Sequence, residues 1–158
     1  MRPAARGTGA GRAMLATLAG HTDSGLARSQ GAGAAGGMGF ALFLLGARRQ
    51  AGIELVTEII GLPGRARRAD LLVTGEGALD FSSRSGKVPH GVARVAAAAL
   101  QPCIALDGQV LIGSREMRAV GIESAYSVVD LVGEDASFAD PAGSLAALAE
   151  RTARTWSR

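Results

Sequence analysis

At 158 residues, 47% hydrophobic and 20% charged, the chain has room for one domain with a real core and lacks the composition of a disordered polypeptide. Its formal charge is only +3, and the clusters Arg48-Arg49 and Arg65-Ala66-Arg67-Arg68 have no aromatics among them, which speaks against a nucleic-acid-binding stripe. The longest apolar block, Met38 to Ala47, is too short to cross a membrane, and the lone Cys103 can form neither an internal disulfide nor a metal cluster, as expected in a reducing cytoplasm.

Residues 1–12 mix Gly, Pro and Arg and read as a disordered arm. Residues 13–19 suggest a short helix; the arginines before it resemble the start of a signal peptide, but the apolar stretch is at the short limit and carries Thr17. A polar stretch, His21 to Gln30, leads into the glycine run Gly31 to Gly39. Met38 to Gln50 reads as a buried helix closed by Gly52, and Ile53 to Ile60 as a second helix by its apolar spacing. Pro63 and Gly64 mark a turn. Leu71 to Val73 is a strand, Pro89 to Leu100 an alanine-rich helix and Cys103 to Leu106 a second strand. Ser114 to Val120 suggests a short helix and Ala125 to Val129 a third strand. Asp140 caps a last helix that begins at Pro141 and turns Leu145, Leu148, Ala149, Thr152 and Trp156 inward.

Strands alternating with helices predict an α/β fold, with parallel-sheet βαβ units in the C-terminal half after a glycine-rich, mostly helical segment. Three strands are too few for an open sheet covered on both faces, so this half is expected to be part of a larger fold. The division is then an arm at 1–12, a helical segment at 13–69 and a Rossmann-like α/β segment at 70–158.

The most informative stretch runs from Asp70 to Lys87. A short buried strand ends in a turn carrying Thr74, Glu76, Asp80, Ser83, Ser85 and Lys87, at the sheet edge where open α/β folds bind ligands. Acids that can hold a metal or take a proton stand there beside hydroxyls and a cation. Of the 17 basic residues, Lys87 is the one lysine. A chain that uses arginine everywhere else wants a compact, mobile ammonium at this place. Its two histidines, His21 and His90, lack zinc-ligand spacing, and Cys103 sits in an apolar run as a small buried hydrophobe.

Gly31-Ala32-Gly33-Ala34-Ala35-Gly36 matches the dinucleotide fingerprint G-x-G-x-x-G in letters. The mechanism needs a hydrophobic strand directly before it, and Ser24 to Gln30 cannot be one, which argues against a dinucleotide-binding oxidoreductase. Two readings stay open: Gly33, Gly36 and Gly37 expose backbone N–H groups to an anion, or the glycines permit close helix packing.

An ordered series of motifs then carries a resemblance. Gly31 to Gly39, Gly52-Ile-Glu-Leu-Val56, Ala69-Asp-Leu-Leu-Val-Thr-Gly-Glu-Gly77 with Asp80, Ser85-Gly-Lys87, Pro89, Gly91-Val-Ala93 and Ile104-Ala-Leu-Asp-Gly108 with Val110 follow one another. From about residue 13 to the end, the chain resembles the C-terminal part of the glycerate kinase family. Departures are Ala78, where the family often has Arg, and Ser82-Ser83, where it often has Gln-Thr or Gln-Ser. The early Asp-Ser-Phe-Lys and Gly-Gly-Glu-Gly motifs of the much longer full-length members are absent, so the chain resembles a truncated member, with residues 13–69 falling in the second kinase domain.

The resemblance implies an ATP-dependent kinase that phosphorylates a hydroxyl of glycerate, with ATP and Mg²⁺ as cofactors. Lys87, beside Gly86, would stabilise phosphate oxygens or the glycerate carboxylate; Glu76 and Asp80 would hold Mg²⁺ or accept the hydroxyl proton. Thr74, Gly75, Gly77, Ser83, Ser85 and Gly86 would contact substrate or phosphate, with Asp107 facing the same edge. Each acid has a plainer role as a turn cap. The expected partner is glycerate, with neither nucleic acid nor membrane; a homo-oligomer or a separate N-terminal half would complete the site. The rival to an active kinase is a non-catalytic remnant or half-enzyme.

Overall fold

The structure, a computed structural model, describes residues 24–81 and 87–157, and the expectations for the arm at 1–12 and the helix at 13–19 lie outside them. The chain divides into two compact units, Met1–Gln50 and Ala51–Arg158.

In the first unit, α1 (Ser24–Arg28) falls within the stretch read as merely polar, and a 3₁₀ turn (Ala34–Gly37) leads into α2 (Met38–Leu44). The helix expected to run to Gln50 stops earlier. Gly46 takes a left-handed φ of +86°, its N–H donates to the Phe43 carbonyl, and the Ala47 N–H donates to the Leu42 carbonyl. These paired bonds satisfy the last carbonyls and end the helix. Nor is α2 a buried helix: Phe40 alone is buried, while Leu42 and Leu44 are exposed. Within the glycine run close packing is required at Gly39, because a Cβ there would run into the Gly31 carbonyl, whereas Gly36 has open space where its Cβ would sit.

The second unit opens with α3 (Gly52–Ile59) and α4 (Leu62–Ala66). Pro63, read as a turn marker, lies in the first turn of α4, where its missing N–H costs nothing. Both helices belong with the α/β unit, upstream of the boundary drawn from sequence at residue 70. Then come β1 (Leu72–Thr74), β2 (Ala78–Leu79), α5 (Val88–Ala99), β3 (Cys103–Asp107) and β4 (Gln109–Val110). The chain continues through α6 (Ser114–Ala119), β5 (Ser124–Ser127), α7 (Val128–Val132), α8 (Glu134–Ala139) and α9 (Pro141–Trp156).

Strands β1, β3 and β5 form a parallel sheet in the order β1-β3-β5, with Val73 opposite Ile104 and Ala105 opposite Ala125. Strands β2 and β4 form a second parallel pair. Helices α5 and α6 make the crossovers, and α5 packs on β1 and β3 while α9 contacts β3 and β5. The core between α5 and the sheet is small-residue packing: Ala93, Ala96, Cys103 and Ala105 with Leu72, Leu79, Met117 and Ile122. That is how so few aromatics suffice. The third strand ends sooner than expected, since the Ser127 hydroxyl accepts the Asp130 N–H at 3.1 Å and caps α7 over Val128 and Val129. Among the described residues no helix is long and apolar enough to cross a membrane.

Candidate active site at the strand ends

Two strands of the sheet end side by side. Beyond Thr74, β1 turns through Gly75-Glu76-Gly77 into β2; beyond Asp107, β3 turns through Gly108 into β4. The turns stay bonded: Gly108 N–H donates to the Glu76 carbonyl and Gln109 N–H to the Gly77 carbonyl, both at 3.0 Å. Gly75 is forced by this closeness, because a Cβ there would collide with the Leu106 carbonyl, and Gly108 meets the same limit at the Gly77 carbonyl. Gly75 is therefore a backbone requirement first, whereas Gly77 has open space where a Cβ would sit.

The turn sets out the charged groups. Lys87, directly before α5, places Nζ 3.6 Å from Glu76 Oε2 and 3.6 Å from Asp80 Oδ1. Its side chain and that of Asp80 are 41% exposed and that of Glu76 only 18%, so the cluster stands at the surface with Glu76 on its inner side. Asp107 is fully buried, and its Oδ1 accepts the Glu76 backbone N–H at 2.7 Å. Burial pushes its carboxyl up to about 6; the Glu76 amide opposes this and the Glu76 charge adds to it. Asp107 Oδ2 and the buried Thr74 Oγ1 make no hydrogen bond.

Two cavities meet at this turn. The larger, about 1060 Å³, is bounded by Thr74, the Gly75-Glu76-Gly77 turn and apolar side chains of α5, α8 and α9. The smaller, about 390 Å³, lies between the start of α3, Glu76 and Lys87.

The structure thus brings Thr74, Gly75, Glu76, Gly77, Asp80, Lys87 and Asp107 together. Asp107 lies beneath the site as a support for the turn and not on its surface. Gly33, Gly36 and Gly37 belong to the other compact unit, and Ser83, Ser85 and Gly86 lie outside the described residues. The wall residues Val88, Val92 and Phe138 escaped the sequence reading. Val88 and Val92, four apart on one helix, gave a periodic signal indistinguishable from core. Cys103 is buried and its thiol is pushed up to about 11 by burial, the state of a packing residue.

Comparison with known proteins agrees with the fold. The model of the glycerate kinase family matches residues 9–157. The glycerate 2-kinase of Escherichia coli is 42% identical over 104 residues, covering 65% of this chain and 27% of that protein. An uncharacterised protein of Mycobacterium bovis is 37% identical over 130 residues, covering 82% of this chain and 34% of its own length. A crystal structure of a candidate glycerate kinase 2 from Salmonella typhimurium superimposes with a TM-score of 0.57 at 31% identity, covering 93% of this chain and 38% of that one. The chain therefore spans about a third or less of the curated relatives it matches. With ordered motifs, a parallel α/β unit and a family match over nearly its whole length, the chain belongs to the glycerate kinase family.

Proposed function

We propose that this chain carries the acid–lysine site of a cytoplasmic ATP-dependent glycerate kinase. The observation that supports it most is Lys87 held between Glu76 and Asp80 at the ends of two parallel strands, beside a nucleotide-sized cavity. In the reaction the bond between the γ-phosphorus and the bridging oxygen of ADP breaks, and a bond forms from a glycerate hydroxyl oxygen to that phosphorus. The hydroxyl proton passes to Glu76 or Asp80. Such transfer needs positioning and charge neutralisation more than covalent help. Lys87 supplies a mobile cation for the transferring charge, and Asp107 holds the Glu76 amide so that the turn does not drift.

The residues fit Mg²⁺ arriving with the nucleotide. No group of three or more His, Cys, Asp or Glu among the described residues could hold a metal alone, whereas one or two carboxylates beside substrate phosphates suffice for Mg²⁺. Whichever of Glu76 and Asp80 does not take the proton would hold it, directly or through water, and it would neutralise phosphate charge. The unpartnered Thr74 hydroxyl on the cavity wall offers a hydrogen bond to the same ligand.

ADP release by the purified chain with Mg-ATP, with and without D-glycerate, tests this. Glycerate-dependent release that falls by about 10²-fold or more in Lys87→Ala is the expected result; release untouched by the substitution removes Lys87 from the chemistry. The short span relative to the relatives favours a second reading, in which this segment forms one side of a site completed by further chain or a second copy. A folded chain that binds both substrates and releases no ADP would support that reading.

A further inference from the structure

A further cavity lies away from the acid–lysine turn and shares no lining residue with the two described above. It is formed where β5, α7 and α9 meet. At about 330 Å³ it sits at the small end of the roughly 300–1,000 Å³ range of ligand pockets. Ala125, Leu131 and the buried Leu148 give it an apolar wall, and polar groups of Tyr126, Asp130, Arg151 and Thr152 line the rest beside Ser127 and Thr155.

Four of these groups have bonding capacity to spare. Thr152 is only 5% exposed, and its hydroxyl makes no hydrogen bond. The Thr155 hydroxyl donates to the Arg151 carbonyl one turn back, the ordinary resting place of a helical threonine; Thr152 makes no such bond to Leu148. Leaving a buried hydroxyl without a partner is costly, so its place on a cavity wall points to a ligand. The Tyr126 hydroxyl accepts the Trp156 indole N–H at 2.9 Å, which fixes the ring and leaves the phenolic proton to donate. Asp130 and Arg151 are exposed and form no ion pair with each other or with any other described residue. Ser127, by contrast, is spent: its hydroxyl donates to the Gly108 carbonyl and accepts the Asp130 N–H.

The two unpaired charges decide the class of ligand. A simple anion would face the Asp130 carboxylate, and a simple cation the Arg151 guanidinium. A molecule carrying both charges satisfies both, with its carboxylate in the guanidinium fork and its ammonium on Asp130. We propose that this cavity binds a free α-amino acid with a small polar side chain, whose polar atom meets the hydroxyls of Tyr126 and Thr152. The apolar wall of Leu131 and Leu148 takes the carbon skeleton.

NMR titration of the full, ¹⁵N-labelled chain with L-threonine tests this, beside 3-hydroxybutyrate and 1-amino-2-propanol, which each lack one of the two charges. L-threonine is expected to give saturable shifts at the backbone amides around Tyr126, Asp130 and Arg151. Either single-charge probe should bind at least about tenfold more weakly, the loss that follows a missing hydrogen bond to a charged group. Asp130→Asn and Arg151→Gln, both at exposed positions, should each weaken L-threonine by about tenfold. Thr152→Val keeps the side-chain shape and removes the hydroxyl; it should weaken L-threonine by about threefold while the thermal midpoint stays level or rises. No saturable shifts in a folded chain, a single-charge probe binding as tightly as L-threonine, or shifts centred on Glu76 and Lys87 would each overturn the proposal. So would a lower midpoint in Thr152→Val, which would mean that the hydroxyl already has a partner within the fold.

Discussion

Asp107 shows how a single side chain ties burial to pH. An unfolded aspartate titrates near 3.9, whereas in the folded chain burial holds this carboxyl at about 6. A raised folded pKa means that the native state keeps its proton where the unfolded chain has lost it. The stabilisation from that proton is complete below about pH 4 and is lost as pH rises through about 6. The shift corresponds to about 3 kcal/mol. Asp107→Asn stays neutral throughout and keeps an oxygen for the Glu76 N–H. Urea midpoints should therefore fall between pH 4 and pH 7 more in the parent chain than in the variant; parallel slopes would contradict the raised carboxyl. Gly75→Ala makes the complementary case, since its Cβ meets the Leu106 carbonyl and backbone must give way. Its cost should be about 1–3 kcal/mol, read from the same midpoints. The clustering of Glu76, Asp80 and Lys87 was legible in the sequence because the three crowd into one short stretch after an apolar strand. The depth of Asp107 was not legible, because its partner lies 31 positions away.

Among the elements, caps decide more than propensity does. α5 ends with Leu100 at φ +58°, and Gln101 N–H donates back to the Ala96 carbonyl. That left-handed position favours glycine, and Leu100 is 92% exposed, so it gains nothing by packing. Leu100→Gly should raise stability by about 0.5–1 kcal/mol once the added freedom of the unfolded glycine is deducted; a lower thermal midpoint would show that the strain is not there. At the start of α9, Asp140 accepts the Gly143 N–H at 2.9 Å, as its place before Pro141 led one to expect. Asp140→Ala should cost about 1 kcal/mol in chemical denaturation. The same physics explains the helix and strand that ran too long from sequence. Apolar letters continue past Leu44 and past Ser127, but a left-handed glycine stops the first and a serine cap redirects the second.

For the molecule as a whole, the core cluster of Ala66, Leu72, Leu79, Ala93, Ala96, Cys103, Ala105, Met117 and Ile122 falls entirely within the unit from Ala51 onward. A unit with its own core has the minimum needed to fold by itself. A chain beginning at Ala51 should keep a cooperative unfolding transition, its stability changed by less than about 1 kcal/mol as followed by circular dichroism. A broad, non-cooperative transition would show that the first fifty residues take part in that core.

The amino-acid order by itself determined the alternation of strand and helix, the glycines at the turn, the acids and lone lysine around it, and the family resemblance those motifs carry. These follow from local rules: periodicity, turn chemistry and the spacing of charges along one stretch of chain. Tertiary structure alone decided that Asp107 lies buried beneath Glu76, that the glycine run folds in a separate unit, and that the turn divides two cavities. Each of those depends on parallel strand pairing and helix approach between distant segments, and no local pattern records which residue a distant segment will face.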